Sequence, residues 1–415
     1  MLCYIVLAAG QSKRFKSDVS KVLFKLHGKT ILDYALEAIP APKNDIFIVA
    51  NFEHEGYKCI PQKAQLGTGH AVQEALKQIP QKYTECIILC GDVPLIERST
   101  LRELVESVSD LTLVGFHIND FTKPYGRILN NGEAIVEYKE ASQDVKNNSL
   151  AYSGVMKASR KVLDETLPKL KPHPELYLTE IVEKCRGSRS IIFKTEEEFA
   201  GINTRADLAY IERCLQKKWI NKLMEQGAVF YNPETSSVRH DTNIAADVIV
   251  HPNVQIGRNV TIEKGAVIHP FTALENCHIK EGVNVGPFAH IRGDVVLERE
   301  SVVGNFVEIK GSKIGQGSKV KHLSYIGDAV LGKNVNVGAG TITCNYDGVN
   351  KHKTVIEDDA FIGSNSTLIA PITIHDHAFI GADTVLSEDV EAYDLALTRA
   401  PKKIVKGWRK NRSAD

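Results

Sequence analysis

Residues 250–274 read VHPNVQIGRNVTIEKGAVIHPFTAL, with an aliphatic residue at every sixth position: Val250, Ile256, Ile262, Ile268 and Leu274. The period runs outward from there. It begins at Ile244, and after a five-residue step it resumes at Ile279, Val285, Ile291, Leu297, Val303 and Ile309. It continues at Ile314, Val320 and Ile326, then Leu331 and Val337, and returns at Ile356, Ile362, Leu368, Ile374, Ile380 and Leu386. Such a hexapeptide repeat marks a parallel β-helix. Six residues make one flat side with its corner, so three sides make a triangular coil of about 18 residues. The recurring aliphatic points inward and stacks on its neighbour in the next coil, while small residues behind it let the chain turn. Residues 244–390 then hold about eight coils. One interruption, Cys344–Lys353 (CNYDGVNKHK), is polar and out of phase, and is expected to be a loop thrown outward, where function tends to sit.

Before residue 204 the texture differs. Tyr4–Ala8, Asp45–Ala50, Cys86–Cys90 and Thr112–Phe116 read as strands, and Ile31–Ile39, Gly69–Ile79 and Ser99–Ser107 as helices. That alternation predicts an α/β domain on a mainly parallel sheet, with ligands beyond the carboxyl ends of the strands. A connecting helix is expected over about Arg205–Gln226, carried by Leu208, Ile211, Leu215, Ile220 and Leu223. The expected division is 1–204, a linker helix 205–230, and 231–415.

Composition narrows the function. Lys+Arg and Asp+Glu are both 51, so the net charge is zero, which argues against bulk nucleic-acid binding. The opening MLCYIVLAAG lacks a basic leader and reads as a buried strand entering a loop, and no stretch is apolar enough for a membrane span. The eight cysteines form no CxxC pair and read as free thiols of a cytoplasmic protein.

The loop after the first strand, Leu7-Ala8-Ala9-Gly10-Gln11-Ser12-Lys13-Arg14, is small enough for backbone N–H groups to close around a phosphate, and Arg14 and Lys21 could neutralise a triphosphate. It is neither GxGxxG nor a Walker A sequence, and taken alone it could be a glycine turn with solvated cations. Gln62 and Gln65-Leu66-Gly67-Thr68-Gly69-His70 follow, a turn suited to close approach to a base or ribose. Strand Cys86–Cys90 delivers Gly91-Asp92-Val93-Pro94, placing a carboxylate to hold Mg²⁺ between phosphates. Tyr125-Gly126-Arg127, Val136-Glu137-Tyr138, Tyr177-Leu178-Thr179-Glu180 and Gly201-Ile202-Asn203 complete the set.

In the second half, Arg292 and Lys310 are 18 apart and should stack on adjacent coils. Tyr346, Ser364 and Ala382 share that spacing and should form a column up one face. His322 stands two positions after the inward Val320, where side chains face outward. An imidazole there could serve as a general base. Two stacked cations could hold a phosphate.

These motifs, in this order over nearly the whole chain, resemble the bacterial bifunctional N-acetylglucosamine-1-phosphate uridylyltransferase/glucosamine-1-phosphate N-acetyltransferase family. In the second half the resemblance rests on Pro287–Arg292, Gly304–Lys310 and Gly338–Gly348. It implies a Rossmann-like nucleotidyltransferase domain followed by a left-handed parallel β-helix. It implies that Leu7, Ala8, Ala9, Gly10, Gln62, Gly67 and Thr68 hold UTP, with Arg14 and Lys21 on its phosphates and Mg²⁺ on Asp92 and Asn203. Gly126, Glu137 and Tyr152 would face N-acetylglucosamine 1-phosphate. Arg292, Lys310, Tyr325 and Asn336 would bind glucosamine 1-phosphate, and His322 would take the proton. Ala339, Asn345, Tyr346, Ser364, Ala382 and Arg399 would bind acetyl-CoA. A homotrimer assembled through the β-helix is implied, with the basic tail (Lys402, Lys403, Lys406, Arg409, Lys410, Arg412) completing a neighbour's acetyl-CoA site.

The chain departs from the family's pattern at Ser12 and Lys13 (glycine and threonine in the family), at Ser20 (proline), and at Tyr152, where the family has asparagine; the front half is also shorter. Two alternatives therefore stand beside the bifunctional reading: an acetyltransferase with a degenerate front half, and a sugar nucleotidyltransferase whose β-helix is only a scaffold.

Overall fold

The computed structural model describes residues 1–415 except 11, 172–174, 400 and 410–415, and the chain divides into two units, Met1–Leu215 and Gln216–Asp415. In the first unit nine strands form one sheet: β1 (Leu2–Leu7), β2 (Ile46–Val49), β3 (Lys58–Ile60), β4 (Glu85–Cys90), β5 (Leu111–His117), β6 (Arg127–Leu129), β7 (Ala134–Val136), β8 (Leu150–Ser159) and β9 (Arg189–Lys194). Their order is β9-β5-β8-β4-β1-β2-β3, with the β6–β7 hairpin added at β8. β1, β2, β3 and β4 run parallel, as do β5 and β9, while β8 runs antiparallel to both β4 and β5. The central strands are apolar on both faces, as a sheet covered on both sides requires: Cys3–Val6 of β1 and Cys86–Leu89 of β4 are buried throughout.

The expected helices are present as α1 (Ile31–Ala38), α2 (Thr68–Gln78), α3 (Arg98–Glu106) and α4 (Arg205–Glu225). Three of them begin for a visible local reason. Thr30 and Asp33 form a capping box at α1. At α4, Thr204 accepts from the Asp207 N–H, and the Asp207 carboxylate accepts from the N–H groups of Asn203 and Thr204. The cap thereby fixes Asn203 at the end of the chain's return to the sheet. At α2, Gly67 has φ +114°, and a Cβ there would sit 2.6 Å from the Leu176 carbonyl oxygen, so only glycine fits.

The second unit is the β-helix. Its short strands build three parallel sheets, of ten, eight and eight strands. Successive coils pair Asn243 with Thr261 and Lys313 with Val330, the step expected of a three-sided coil. Every hexapeptide aliphatic named above is at most 4% exposed except Leu386, which is partly buried. Burial of each such side chain contributes about 1.5–3 kcal/mol. Between Val337 and Ile356 the inward position is Thr343, 1% exposed, and its hydroxyl is satisfied inside the coil by accepting the Gly327 N–H at 2.8 Å. Several corners need left-handed backbone, and asparagine or aspartate supplies it at Asn253, Asn259, Asp294 and Asn334. On one corner the same conformation is taken by Phe271, Phe288 and Phe306, whose exposed rings stack with centroids 4.9 and 5.1 Å apart.

Cys344–Lys353 does leave the coil. The register lengthens across it, so that Ala329 pairs with Thr354 and Asn336 with Phe361. This corrects the expected column. The longer step sets Ala339, rather than Tyr346, beneath Ser364, with the Asn365 N–H donating to the Ala339 carbonyl at 2.7 Å and the Asp383 N–H to the Ser364 carbonyl at 2.8 Å. Tyr346 stands out on the loop, 61% exposed, its hydroxyl donating to Gly348 O at 2.6 Å.

Candidate functional sites

In the first unit the loops leaving β1, β4 and β7 surround two adjoining cavities. One, of about 680 Å³, is lined by Leu7, Ala8, Ala9, Gly10, Lys21, Gln62, Gly67 and Thr68. The other, of about 1010 Å³, is lined by Arg14, Gly126, Glu137, Tyr152 and Asn203. Thr68, Cys90 and Asp92 belong to both walls. The sequence-expected residues thus gather at one end of the sheet, divided into two subsites that meet at Asp92.

The meeting point carries the strongest charges. The Lys21 ammonium donates to Asp92 Oδ2 at 2.5 Å and to Asn203 Oδ1 at 2.8 Å, and Arg14 Nη2 reaches the same Asn203 oxygen at 3.1 Å. Two hard oxygen donors from different loops therefore converge on one cation. No cluster of three or more His, Cys, Asp or Glu that could hold a metal lies among the described residues. One carboxylate and one amide oxygen still fit Mg²⁺, which takes much of its shell from substrate phosphates and water.

The larger cavity is a hydrogen-bonding pocket with a low-dielectric wall. Glu137 accepts from the Thr179 hydroxyl at 2.8 Å through Oε1, which leaves Oε2 as an acceptor. Burial pushes the Glu137 carboxyl above the ordinary carboxylate value. Tyr152, at the family's asparagine position, is 8% exposed and lines this cavity, and burial holds its phenol well above the ordinary tyrosine value, so it is a neutral donor. Gln62 is bound up in the loop itself, its amide donating to Gly67 O at 2.9 Å. All eight cysteines are free; Cys3 and Cys86 are buried neighbours across β1 and β4 with their sulfurs 3.5 Å apart.

In the second unit Arg292 and Lys310 stack directly across adjacent coils, as expected. Arg292 is held by Glu308 through Nε at 3.0 Å and Nη2 at 2.5 Å. The Lys310 ammonium is pushed below the ordinary lysine value, first by Lys351 and then by Arg292. Lys351 comes from the extruded loop and was not among the expected residues, although the loop itself was marked. Three cations thus crowd at one corner.

His322 closes the strand Lys319–His322 at the neighbouring edge, exposed, with Nδ1 2.9 Å from Asn305 Oδ1 on the coil below. An amide oxygen only accepts, so the imidazole donates from Nδ1 in this contact. Asn305 was legible only as part of a family motif, because its partner comes from the next coil. Among the described residues no hydrogen bond or ion pair joins His322 to Arg292, Lys310 or Tyr325. Asn345 is 7% exposed and its amide donates to Asp328, so within one chain it anchors the loop's root. Ser364, Ala382 and Arg399 are exposed, as are Lys402, Lys403, Lys406 and Arg409 of the tail; Lys410 and Arg412 lie outside the described residues.

Residues 4–151 match the MobA-like NTP transferase domain, and residues 276–311 and 353–388 match the bacterial transferase hexapeptide family (six repeats). The chain is 41% identical to the Bifunctional protein GlmU of Agrobacterium fabrum over 97% of this chain and 94% of that protein. The same identity and shares hold for the Bifunctional protein GlmU of Paracoccus denitrificans. That of Thermodesulfovibrio yellowstonii is 38% identical over 98% of this chain and 99% of its own.

Proposed function

The chain belongs to the family of bifunctional N-acetylglucosamine-1-phosphate uridylyltransferase/glucosamine-1-phosphate N-acetyltransferases, and from that premise we propose how its residues divide the two reactions. It makes UDP-N-acetylglucosamine by acetyl transfer from acetyl-CoA to glucosamine 1-phosphate and uridylyl transfer from UTP to the acetylated product, releasing pyrophosphate. Residues 1–204 carry uridylyl transfer, 205–230 link, and 231–415 carry acetyl transfer.

In the front half, UTP lies along Leu7–Gly10, Gln62, Gly67 and Thr68, and N-acetylglucosamine 1-phosphate in the cavity of Gly126, Glu137 and Tyr152. The phosphate oxygen that attacks the α-phosphorus is already anionic, so no general base is required. Lys21 leaves Asp92 for a phosphate oxygen, and Arg14 adds a second cation to the leaving pyrophosphate. Asp92 and Asn203 would hold Mg²⁺, which when bound offsets phosphate charge. Convergence of their two oxygens on the Lys21 ammonium, where the two cavities meet, is the observation that carries this assignment.

In the second half Arg292, Lys310 and Lys351 hold the phosphate of glucosamine 1-phosphate, with Tyr325 and Asn336 on the sugar. The amine adds to the thioester carbonyl, His322 Nε2 takes its proton, and the CoA thiolate departs. Acetyl-CoA runs along Ala339, Ser364 and Ala382, with Asn345, Tyr346 and Arg399 contributing. A homotrimer brings these groups together. The exposed Phe271–Phe288–Phe306 ladder supports assembly with further copies. The setting is the cytoplasm, with the product feeding peptidoglycan and lipopolysaccharide precursors; no helix among the described residues is long and apolar enough to cross a membrane.

The test is a pair of single substitutions, Asp92→Asn and His322→Ala, each assayed for both reactions. Each should silence its own reaction and leave the other intact. A substitution that impairs both, or neither, would overturn the division of labour.

A further inference from the structure

Among the described residues the largest fully buried side chain is Arg127, at 0% exposure. No carboxylate pairs with it among those residues, and burial pushes its guanidinium below the ordinary arginine value. A cation taken out of water without a counter-charge opposes folding, so its retention calls for another explanation. Its donors supply one. Nη2 reaches the carbonyls of Phe121 at 3.2 Å and Lys123 at 3.4 Å, Nη1 donates to the carbonyl of Tyr125, and Nε reaches that of Lys146 at 3.2 Å. The guanidinium lies 5.3 Å from the centre of the Tyr138 ring.

Of these partners, Lys123, Tyr125 and Tyr138 line the larger cavity. Residues 121–125 lead into Gly126, and Tyr138 follows Glu137. The walls approach closely: a Cβ on Gly126 would lie 3.1 Å from Ile135 Cγ2 and 3.7 Å from Glu137 Oε2. The Tyr152 N–H adds a third tie, donating to Gly126 O at 2.9 Å. A shift of the 121–126 segment by an ångström would alter the space in front of Glu137 and Tyr152 and leave the first cavity untouched.

We propose that Arg127 is a positioning residue for the sugar phosphate: its buried guanidinium, fanned over four backbone carbonyls and the Tyr138 ring, sets the gap between Gly126 and Glu137. The inference rests on the reading of this cavity as the acetamido-sugar subsite. A lysine keeps the charge but donates from a single point, so it cannot span carbonyls that approach from several directions.

Arg127→Lys in the full chain is assayed for pyrophosphate release with each substrate varied in turn. The expected result is a KM for N-acetylglucosamine 1-phosphate raised about 10- to 100-fold, a KM for UTP within about twofold, and unchanged acetyl transfer. A purely structural role would move both KM values together. Should Arg127→Lys melt the front half, Tyr138 decides: Tyr138→Leu, which removes the ring, should raise the sugar KM selectively, and Tyr138→Phe, which keeps it, should not. Equal effects on both KM values, no effect, or identical behaviour of the two Tyr138 substitutions would overturn the proposal. A wild-type chain that releases no pyrophosphate would instead defeat the reading of the cavity, and this inference with it.

Discussion

Lys21→Met tests the front half where its charges are densest. The Lys21 side chain is 12% exposed and that of Asp92 22%, so their contact at 2.5 Å is shielded from most solvent screening. In catalysis the ammonium is assigned to a phosphate oxygen, a charge-assisted hydrogen bond worth about 1.5–3 kcal/mol. At about 1.4 kcal/mol per tenfold, its loss lowers kcat/KM for UTP about 10- to 150-fold. Methionine is close in volume and unbranched, so the loop after β1 keeps its packing. The assay is initial-rate pyrophosphate release at saturating N-acetylglucosamine 1-phosphate with UTP varied, beside thiol release from acetyl-CoA on the same preparation. Acetyl transfer should stay within about twofold, because its groups lie in the second unit. A fall of less than about threefold in kcat/KM for UTP would refute the reasoning, since Lys21 would then be paired with Asp92 for structure alone.

Three further outcomes are expected. Asn305→Leu removes the acceptor that orients His322, and should lower acetyl transfer about 3- to 10-fold, the worth of one neutral hydrogen bond, with pyrophosphate release unchanged; an unchanged thiol-release rate would separate His322 from Asn305. Ile309→Ala empties a fully buried position inside the coil and should cost about 2–5 kcal/mol in denaturant unfolding of the second unit, whereas a cost under about 1 kcal/mol would contradict the packed interior. Glu137 titrates above the ordinary carboxylate value because of burial, so on acidification it protonates and loses its acceptor earlier than a solvated glutamate would. The KM for N-acetylglucosamine 1-phosphate should therefore climb as pH falls through that raised value, and the limb should be absent in Glu137→Gln; its persistence there would assign the titration to another group.

The β-helix was legible because its physics is local and periodic. Each coil buries one aliphatic per side, so a period of six in the sequence is the fold itself, and only Leu386, near the open end of the stack, is left partly exposed. What the period missed is what breaks it. The column assigned to Tyr346 failed because an extruded loop lengthens one step, pairing Ala329 with Thr354, and counting at a fixed coil length cannot register that. In the front half the parallel strands were visible as apolar runs, but β8, antiparallel between β4 and β5, joins strands far apart in sequence, and nothing local marks its direction. The nucleotide loop and Asp92 stood out because glycine and a carboxylate at strand ends carry a chemical reason. Arg127 and Asn305 did not, since their roles depend on partners delivered by the fold: the Lys146 carbonyl and the Tyr138 ring, and a histidine one coil away. Lys351 was hidden likewise, its meaning set by the crowding of Lys310.

The central claim is that one chain performs both reactions, and one incubation tests it. Purified protein receives glucosamine 1-phosphate, acetyl-CoA, UTP and Mg²⁺, and free thiol and pyrophosphate are followed together. Release of both, with UDP-N-acetylglucosamine as the product, is the predicted result. Thiol without pyrophosphate, even when N-acetylglucosamine 1-phosphate is supplied directly, would contradict the claim and leave a shorter front half, with Tyr152 in its cavity, that has lost its chemistry.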